Sequence, residues 1–308
     1  MSDPPAVQLR GLAKRYGSRA AVEGLTIDVP AGVVAGFVGP NGAGKTTTMA
    51  MLLGLVRPSA GTGTVLGKPL EDPASYLGQV GALIEGPAFY RGLTGAENLA
   101  VLATVAGHDL AEIPVLLDLV GLGARGDDRF RTYSLGMKQR LGIAGALLGD
   151  PRLLILDEPI NGLDPAGVHE MRGLIGQLAG GERTVLVSSH VLAELEQVCD
   201  WLIVVDHGRL VFQGPAAELL DRADATLVVA PEHVRDLDRL QGLLAAAGHE
   251  GQLDDGRLQI AVNGDDPRTL AAVVNRAAGS EGIILAELRV AHTSLEDRYL
   301  SMVNGGDR

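Results

Sequence analysis

Gly39-Pro40-Asn41-Gly42-Ala43-Gly44-Lys45-Thr46 fits the pattern G-x-x-x-x-G-K-[ST]. Its glycines let successive backbone N–H groups turn inward around phosphate oxygens. The helix expected to open at Lys45 adds a positive dipole end. Lys45 has the reach for β/γ-phosphates, and the Thr46 hydroxyl suits Mg²⁺, with Thr47 continuing the loop into the helix. Asp157-Glu158 closes the apolar run Leu153 to Leu156. A carboxylate at the C-terminal end of a buried strand beside such a loop is where Mg²⁺ needs a partner. Asp157 suits that role, and Glu158 suits activation of an attacking water. The pair also reads as an acidic helix N-terminus, which Pro159 permits. His190 follows Ser188-Ser189 directly after another buried run. An imidazole there reaches a γ-phosphate and its water; taken alone, it reads first as a histidine satisfied within a loop.

These residues need a scaffold, and the first two thirds of the chain read as α/β. Val33 to Val38, Leu153 to Leu156, Thr184 to Val187 and Leu202 to Val205 are short apolar runs without polar alternation. That is the pattern of strands buried on both faces of a largely parallel sheet. Between them, Pro165 to Ala179 places Val168, Met171, Leu174, Ile175 and Leu178 on one helical stripe, and Val191 to Cys199 does the same with Leu192, Leu195 and Cys199. The last third contains no lysine. Ala225 to Ala230 reads as a strand, and His233 to Ala247 as a helix carrying Val234, Leu237, Leu240 and Leu244. Asp254-Asp255-Gly256 marks a hairpin between Leu253 and Leu258 to Val262. Asp266-Pro267 opens a second helix through Ala277. Ile283 to Leu288 reads as a strand, and Thr293-Ser294-Leu295-Glu296 as a capping box starting a last helix. The order βαββαβ predicts a small split-βαβ module.

The 308 residues suit about two domains. At 46% hydrophobic and 21% charged, the chain buries a sizeable core and is not disordered throughout. A net charge of −12 argues against direct nucleic-acid binding. One cysteine, Cys199, excludes an intrachain disulfide and a thiolate zinc cluster; it reads as a buried helix-face residue in a reducing compartment. The N-terminus carries neither the basic nor the apolar segment of a signal peptide, and no apolar run is long enough to span a membrane.

Over roughly residues 7 to 220 the chain resembles the nucleotide-binding subunit of an ABC transporter. The motifs fall in that family's order. Tyr133-Ser134-Leu135-Gly136-Met137-Lys138-Gln139 occupies the signature position, and Asn161-Gly162-Leu163-Asp164-Pro165 resembles the D-loop. His190 resembles the switch histidine. Tyr16 resembles the aromatic that stacks on adenine, and otherwise reads as a strand-edge aromatic. Two motifs depart. Glu85 stands where the family usually has the Gln of the Q-loop, and Leu135 and Met137 replace the first glycine and the terminal Gln of the signature. Both departures, with Gly86-Pro87-Ala88-Phe89-Tyr90 and Leu93-Thr94, resemble the bacitracin-resistance-like and daunorubicin-resistance-like branch of exporters. Members of that branch pair with a separate ABC-2 type permease.

The resemblance implies a P-loop ATPase with a RecA-like core in residues 1–220 and a helical subdomain at about 86–150, followed by an α+β accessory module in 221–308. It implies ATP and Mg²⁺ as cofactors and a homodimer as the working form. ATP would lie between Tyr16, the loop from Gly39 to Thr47, Asp157, Glu158 and His190 of one copy and Ser134 and Gly136 of the other. Asp164 would be the acidic residue of the D-loop. Glu85, a carboxylate beside the γ-phosphate, would add a Mg²⁺ ligand and steepen the dependence of nucleotide binding on Mg²⁺. Residues Glu85 to Thr132 would touch the permease; Phe89, Tyr90 and Phe130 within them fit that contact or the packing of the arm itself. The implied function is ATP hydrolysis driving transport, in the export direction, at the cytoplasmic face of the membrane. The alternative is a soluble ABC ATPase acting on ribosomes or DNA. It is disfavoured by the acidic charge, by a single cassette and by too short a span between Thr46 and Ser134 for a coiled-coil insertion.

Overall fold

A computed structural model describes residues 4–180, 183–221, 226–254, 256–262 and 266–291. The chain divides after Ala216 into two compact units.

In the first unit, β1 (Val7–Tyr16) and β2 (Arg19–Val29) form a long antiparallel hairpin, and β3 (Val34–Val38) leads into α1 (Lys45–Leu52). β4 (Ala60–Val65) and β5 (Lys68–Pro69) follow, then β6 (Val80–Leu83). Three helices come next: α2 (Gly95–Ala106), α3 (Glu112–Leu119) and α4 (Leu135–Ala146). The remainder alternates as β7 (Leu153–Leu156), α5 (Pro165–Leu178), β8 (Thr184–Ser189), α6 (Leu192–Leu195), β9 (Trp201–Asp206) and β10 (Arg209–Pro215), with α7 (Ala216–Asp221) next in the chain.

Two sheets result. The order β2-β1-β4-β5 is antiparallel. The order β10-β9-β3-β8-β7-β6 is parallel except for its edge strand β10. All four apolar runs read from the sequence are strands of this second sheet. β3, β7 and β8 are buried at every position, as strands covered on both faces must be. One apolar cluster joins the sheets, with Leu9 and Ile27 from the first and Phe37, Ile155, Leu186 and Ile203 from the second. α5 buries Met171, Leu174, Ile175 and Leu178, four of the five stripe residues.

The stretch Val191 to Cys199 departs from expectation. α6 is a single turn, and the amides of Val198 and Cys199 both converge on the Leu195 carbonyl at 3.0 Å. The chain has to straighten because Asp200 is held twice against Val34, through its own amide and through its carboxylate. Cys199 is buried as expected.

The second unit follows the order β11 (Thr226–Pro231), α8 (Leu237–Ala246), β12 (Gly251–Asp254), β13 (Arg257–Ala261), α9 (Pro267–Ser280), β14 (Leu285–Ala291). Its sheet order, β12-β13-β11-β14, is antiparallel throughout, a split-βαβ arrangement. Asp266 caps α9 by accepting from the Thr269 amide, with Pro267 at the first helical position. Leu227, Val229, Leu258 and Ile260 form the sheet side of a separate core, met by Leu240, Leu244, Leu270 and Val274 from the helices. Val234 is not part of it: residues Val234–Asp236 make a 3₁₀ turn ahead of α8, and Val234 is 77% exposed. The last strand starts later than expected because Ile283 still closes α9, donating to the Ala278 carbonyl. The capping box at Thr293 to Glu296 lies outside the described residues.

Candidate functional site

The phosphate loop runs from the end of β3 to the start of α1. Gly44 takes φ 97°, where an L side chain is strained, and a Cβ there would stand 2.4 Å from the Ala21 carbonyl. The turn at His207-Gly208 also takes left-handed φ values, 46° and 79°, and supports the loop from below: the Gly208 amide donates to the Ala43 carbonyl at 3.1 Å. Lys45 is 5% exposed. Its ammonium donates to the carbonyls of Gly39 (2.6 Å) and Pro40 (3.3 Å) and stands 3.2 Å from Glu158 Oε1. Three donors on a flexible stem suit an anion held in the same loop.

Asp157 follows β7 directly and is buried. Its amide donates to the Leu83 carbonyl of the neighbouring strand at 2.8 Å. Its two carboxylate oxygens are shared: Thr46 Oγ1 donates to Oδ2 at 2.8 Å and Ser188 Oγ to Oδ1 at 2.6 Å. Thr46 comes from α1, Asp157 from β7 and Ser188 from β8, so the sheet itself brings the three oxygens together. A hydroxyl and a carboxylate are the hard oxygen donors that Mg²⁺ takes alongside water and substrate phosphate. The pair therefore fits that ion. Among the described residues no group of three or more His, Cys, Asp or Glu side chains is placed to hold a metal ion by itself, so the Thr46 hydroxyl and the Asp157 carboxylate would share the ion with water and phosphate.

Glu158 takes φ 49°, a left-handed backbone that a non-glycine residue adopts rarely and that is common at functional sites. Its amide donates to Ser188 Oγ at 2.9 Å, and its side chain lies between Lys45 and His190, whose Nδ1 is 2.8 Å from Oε2. Ser188 thus touches both acidic residues, a role that the sequence reading did not assign. Its only signal was its place directly after the buried run Thr184 to Val187 and two residues before His190.

A cleft of about 440 Å³ opens above the loop, lined by Tyr16, Arg19, Ala21, Asn41, Gly42, Gly44, Lys45, Thr46, Thr47 and Glu158. The structure thereby joins the expected adenine-side aromatic, the phosphate loop and the expected base in one space. Tyr16 is half exposed, with the Lys14 ammonium 5.0 Å from its ring centroid. Other expected residues stand elsewhere. Glu85 follows β6 in a left-handed conformation (φ 57°), is exposed and does not line the cleft. Ser134 caps α4, its hydroxyl accepting from the Met137 amide at 3.3 Å, and Gly136 lies in the first turn of that helix. Asp164 caps α5, accepting from the Gly167 amide at 2.8 Å. In the single chain Ser134, Gly136 and Asp164 are outside the cleft.

Residues 22–161 match the family model for ABC transporter. The bacitracin transport ATP-binding protein BcrA of Bacillus licheniformis is 37% identical over 317 residues, covering 97% of this chain and 98% of that one. The lantibiotic transport ATP-binding protein SrtF of Streptococcus pyogenes is 39% identical over 207 residues, 67% of this chain and 90% of its own. Among solved structures, an ATP-binding subunit of an ABC transporter superposes with a TM-score of 0.61 at 32% identity, over 70% of this chain and 92% of that one.

Proposed function

The chain belongs to the ATP-binding subunits of ABC transporters, and from that premise we propose that two copies close around two ATP molecules and drive export through a separate ABC-2 type permease. Its activity is ATP hydrolysis coupled to transport. The observation that carries the site assignment is the contact set around the loop: Thr46 and Ser188 on Asp157, and Lys45 and His190 on Glu158.

In this reading the loop from Gly39 to Thr47 wraps the phosphates with backbone amides, and Lys45 leaves its carbonyl partners for phosphate oxygens. Tyr16 stacks on the base. Thr46 and Asp157 would hold Mg²⁺, which offsets phosphate charge when bound; Glu85 is a further candidate for that shell. Glu158 accepts a proton from the attacking water, and His190 orients the carboxylate that does so. Ser134 and Gly136 present a hydroxyl and an amide at a helix start to the nucleotide held by the other copy. Asp164 lines the same interface. Removing the γ-phosphate removes what both copies hold, and the dimer loosens.

A second cleft, also about 440 Å³, runs along strand β6 and is bounded by α2 and α4. β6 is an edge strand, and Phe89, Leu102 and Val105 line the cleft with Val105 84% exposed. An apolar surface of this kind supports docking of the permease at the helical arm. No helix among the described residues is long and apolar enough to cross a membrane; in this reading the permease holds the subunit at the membrane. The working location is the cytoplasmic face of the membrane. Residues 1–220 form the ATPase part and 221–308 an accessory module. The relatives named for bacitracin and lantibiotic transport support an antibiotic cargo.

The test is a tagged Glu158→Gln chain, loaded with ATP and Mg²⁺ and extracted from native membranes in mild detergent. Mass spectrometry is expected to find a polytopic partner in fixed stoichiometry. Recovery of only ribosomal or DNA-bound proteins would reject the transporter reading.

A further inference from the structure

β1 and β2 meet in a two-residue turn, Gly17-Ser18, that sets Tyr16 directly opposite Arg19. Directly opposed residues of an antiparallel pair project from the same face, with Cβ atoms about 5 Å apart. Arg19 and Ala21, two residues along the strand, share a face by the same periodicity. All three line the cleft above the phosphate loop. Arg19 overhangs it: one terminal guanidinium nitrogen is 3.6 Å from where a Cβ on Gly42 would stand.

The neighbouring cations have partners. Lys14 donates to the Arg57 carbonyl, Arg15 to the Ser18 carbonyl, and Lys45 to Gly39, Pro40 and Glu158. The exposed Arg19 side chain carries no hydrogen bond or ion pair among the described residues. The cleft thus holds an unengaged guanidinium beside a loop built for phosphate, and the guanidinium fork matches phosphate oxygens in geometry and charge.

We propose that Arg19 is a nucleotide-binding residue whose guanidinium pairs with the phosphate chain at its base-proximal end. This deepens the ATP-binding reading above and rests on it. The register tethers Arg19 to Tyr16, at the base end of the nucleotide, so ADP and ATP share the contact.

The probes are ATP and ADP with Mg²⁺, titrated calorimetrically against the full chain. Arg19→Gln is expected to weaken both by about tenfold, the scale of a lost charged hydrogen bond. Arg19→Lys keeps the charge without the fork and recovers part of the loss. In steady-state assays Arg19→Gln raises KM for ATP more than it lowers kcat. Unchanged affinity for both nucleotides in Arg19→Gln overturns the proposal, and a loss confined to ATP overturns the base-proximal placement. Lys45→Ala separates the levels. Weak binding in that variant beside unchanged binding in Arg19→Gln dismisses Arg19 alone, whereas a wild-type chain that binds neither nucleotide overturns the ATP-binding reading itself.

Discussion

His190 Nδ1 stands 2.8 Å from one oxygen of Glu158, and the other oxygen of that carboxylate stands 3.2 Å from Lys45 Nζ. The candidate base is therefore gripped from two elements, the end of β8 and the start of α1. When Lys45 turns to phosphate, one grip is released and the His190 contact remains to aim the carboxylate.

Glu158→Gln keeps the shape and removes the basicity. Phosphate release is expected to fall by at least ~10²-fold, the usual scale of a lost general base, while ATP still binds and holds the dimer together. Near-normal turnover alongside normal ATP affinity would remove Glu158 from the mechanism.

Ser188→Ala acts one step back. It deprives the buried Asp157 of the 2.6 Å hydroxyl donor and the Glu158 amide of its acceptor. Leaving buried polar groups unpaired costs about 1–3 kcal/mol each, so the denaturation midpoint should drop clearly. A variant as stable as wild type would show that neither group depends on that hydroxyl.

Tyr16→Ala tests the base contact. Stacking contributes about 1–3 kcal/mol, so ATP affinity should fall by roughly one to two orders of magnitude. Tyr16→Phe should bind as wild type does, because the ring face and not the hydroxyl makes the contact. Equal affinities for all three proteins would dismiss the stack.

Glu85→Gln tests the departure at the Q-loop position. Removing the charge should flatten the dependence of turnover on Mg²⁺ concentration, measured across a Mg²⁺ titration at fixed ATP. An identical titration curve sinks the assignment.

Burial pushes the Cys199 thiol up to about 12, with Asp200 adding to the rise. The unfolded chain's thiol ionises near its ordinary value, about 8.5. Between those values the unfolded state sheds a proton that the folded state keeps, so stability falls as pH rises through that window. Cys199→Ala should reduce this alkaline slope in denaturation curves taken from neutral pH upward. In native protein at neutral pH the thiol should react with a disulfide reagent only as fast as the chain opens.

What the sequence made legible was whatever depends on neighbours in the chain. The loop from Gly39 to Thr46 is a local pattern, and a strand buried on both faces advertises itself as an unbroken apolar run, as Leu153 to Leu156 does. Asp266 and Pro267 announced α9 for the same reason. Features set by distant partners were not legible. The stretch after Leu195 has helical periodicity, but Asp200 is tied to Val34 across the sheet and the helix stops. Val234 has the spacing of a core residue, yet the 3₁₀ turn before α8 exposes it. Ser188 stood just past the apolar run Thr184 to Val187 and carried no role, yet β8 extends through it and its pairing with β7 sets it between Asp157 and Glu158. Arg19 carried no motif; its position follows from a two-residue turn and a cross-strand register.

The open edge of β6, with Val105 and Leu102 exposed beside it, has a consequence for the life of the subunit in the cell. A chain made in excess of its permease carries an uncovered strand edge next to an apolar cleft, a combination that templates association with other copies. Overproduction of the subunit alone should therefore yield more aggregate than co-production with its membrane partner.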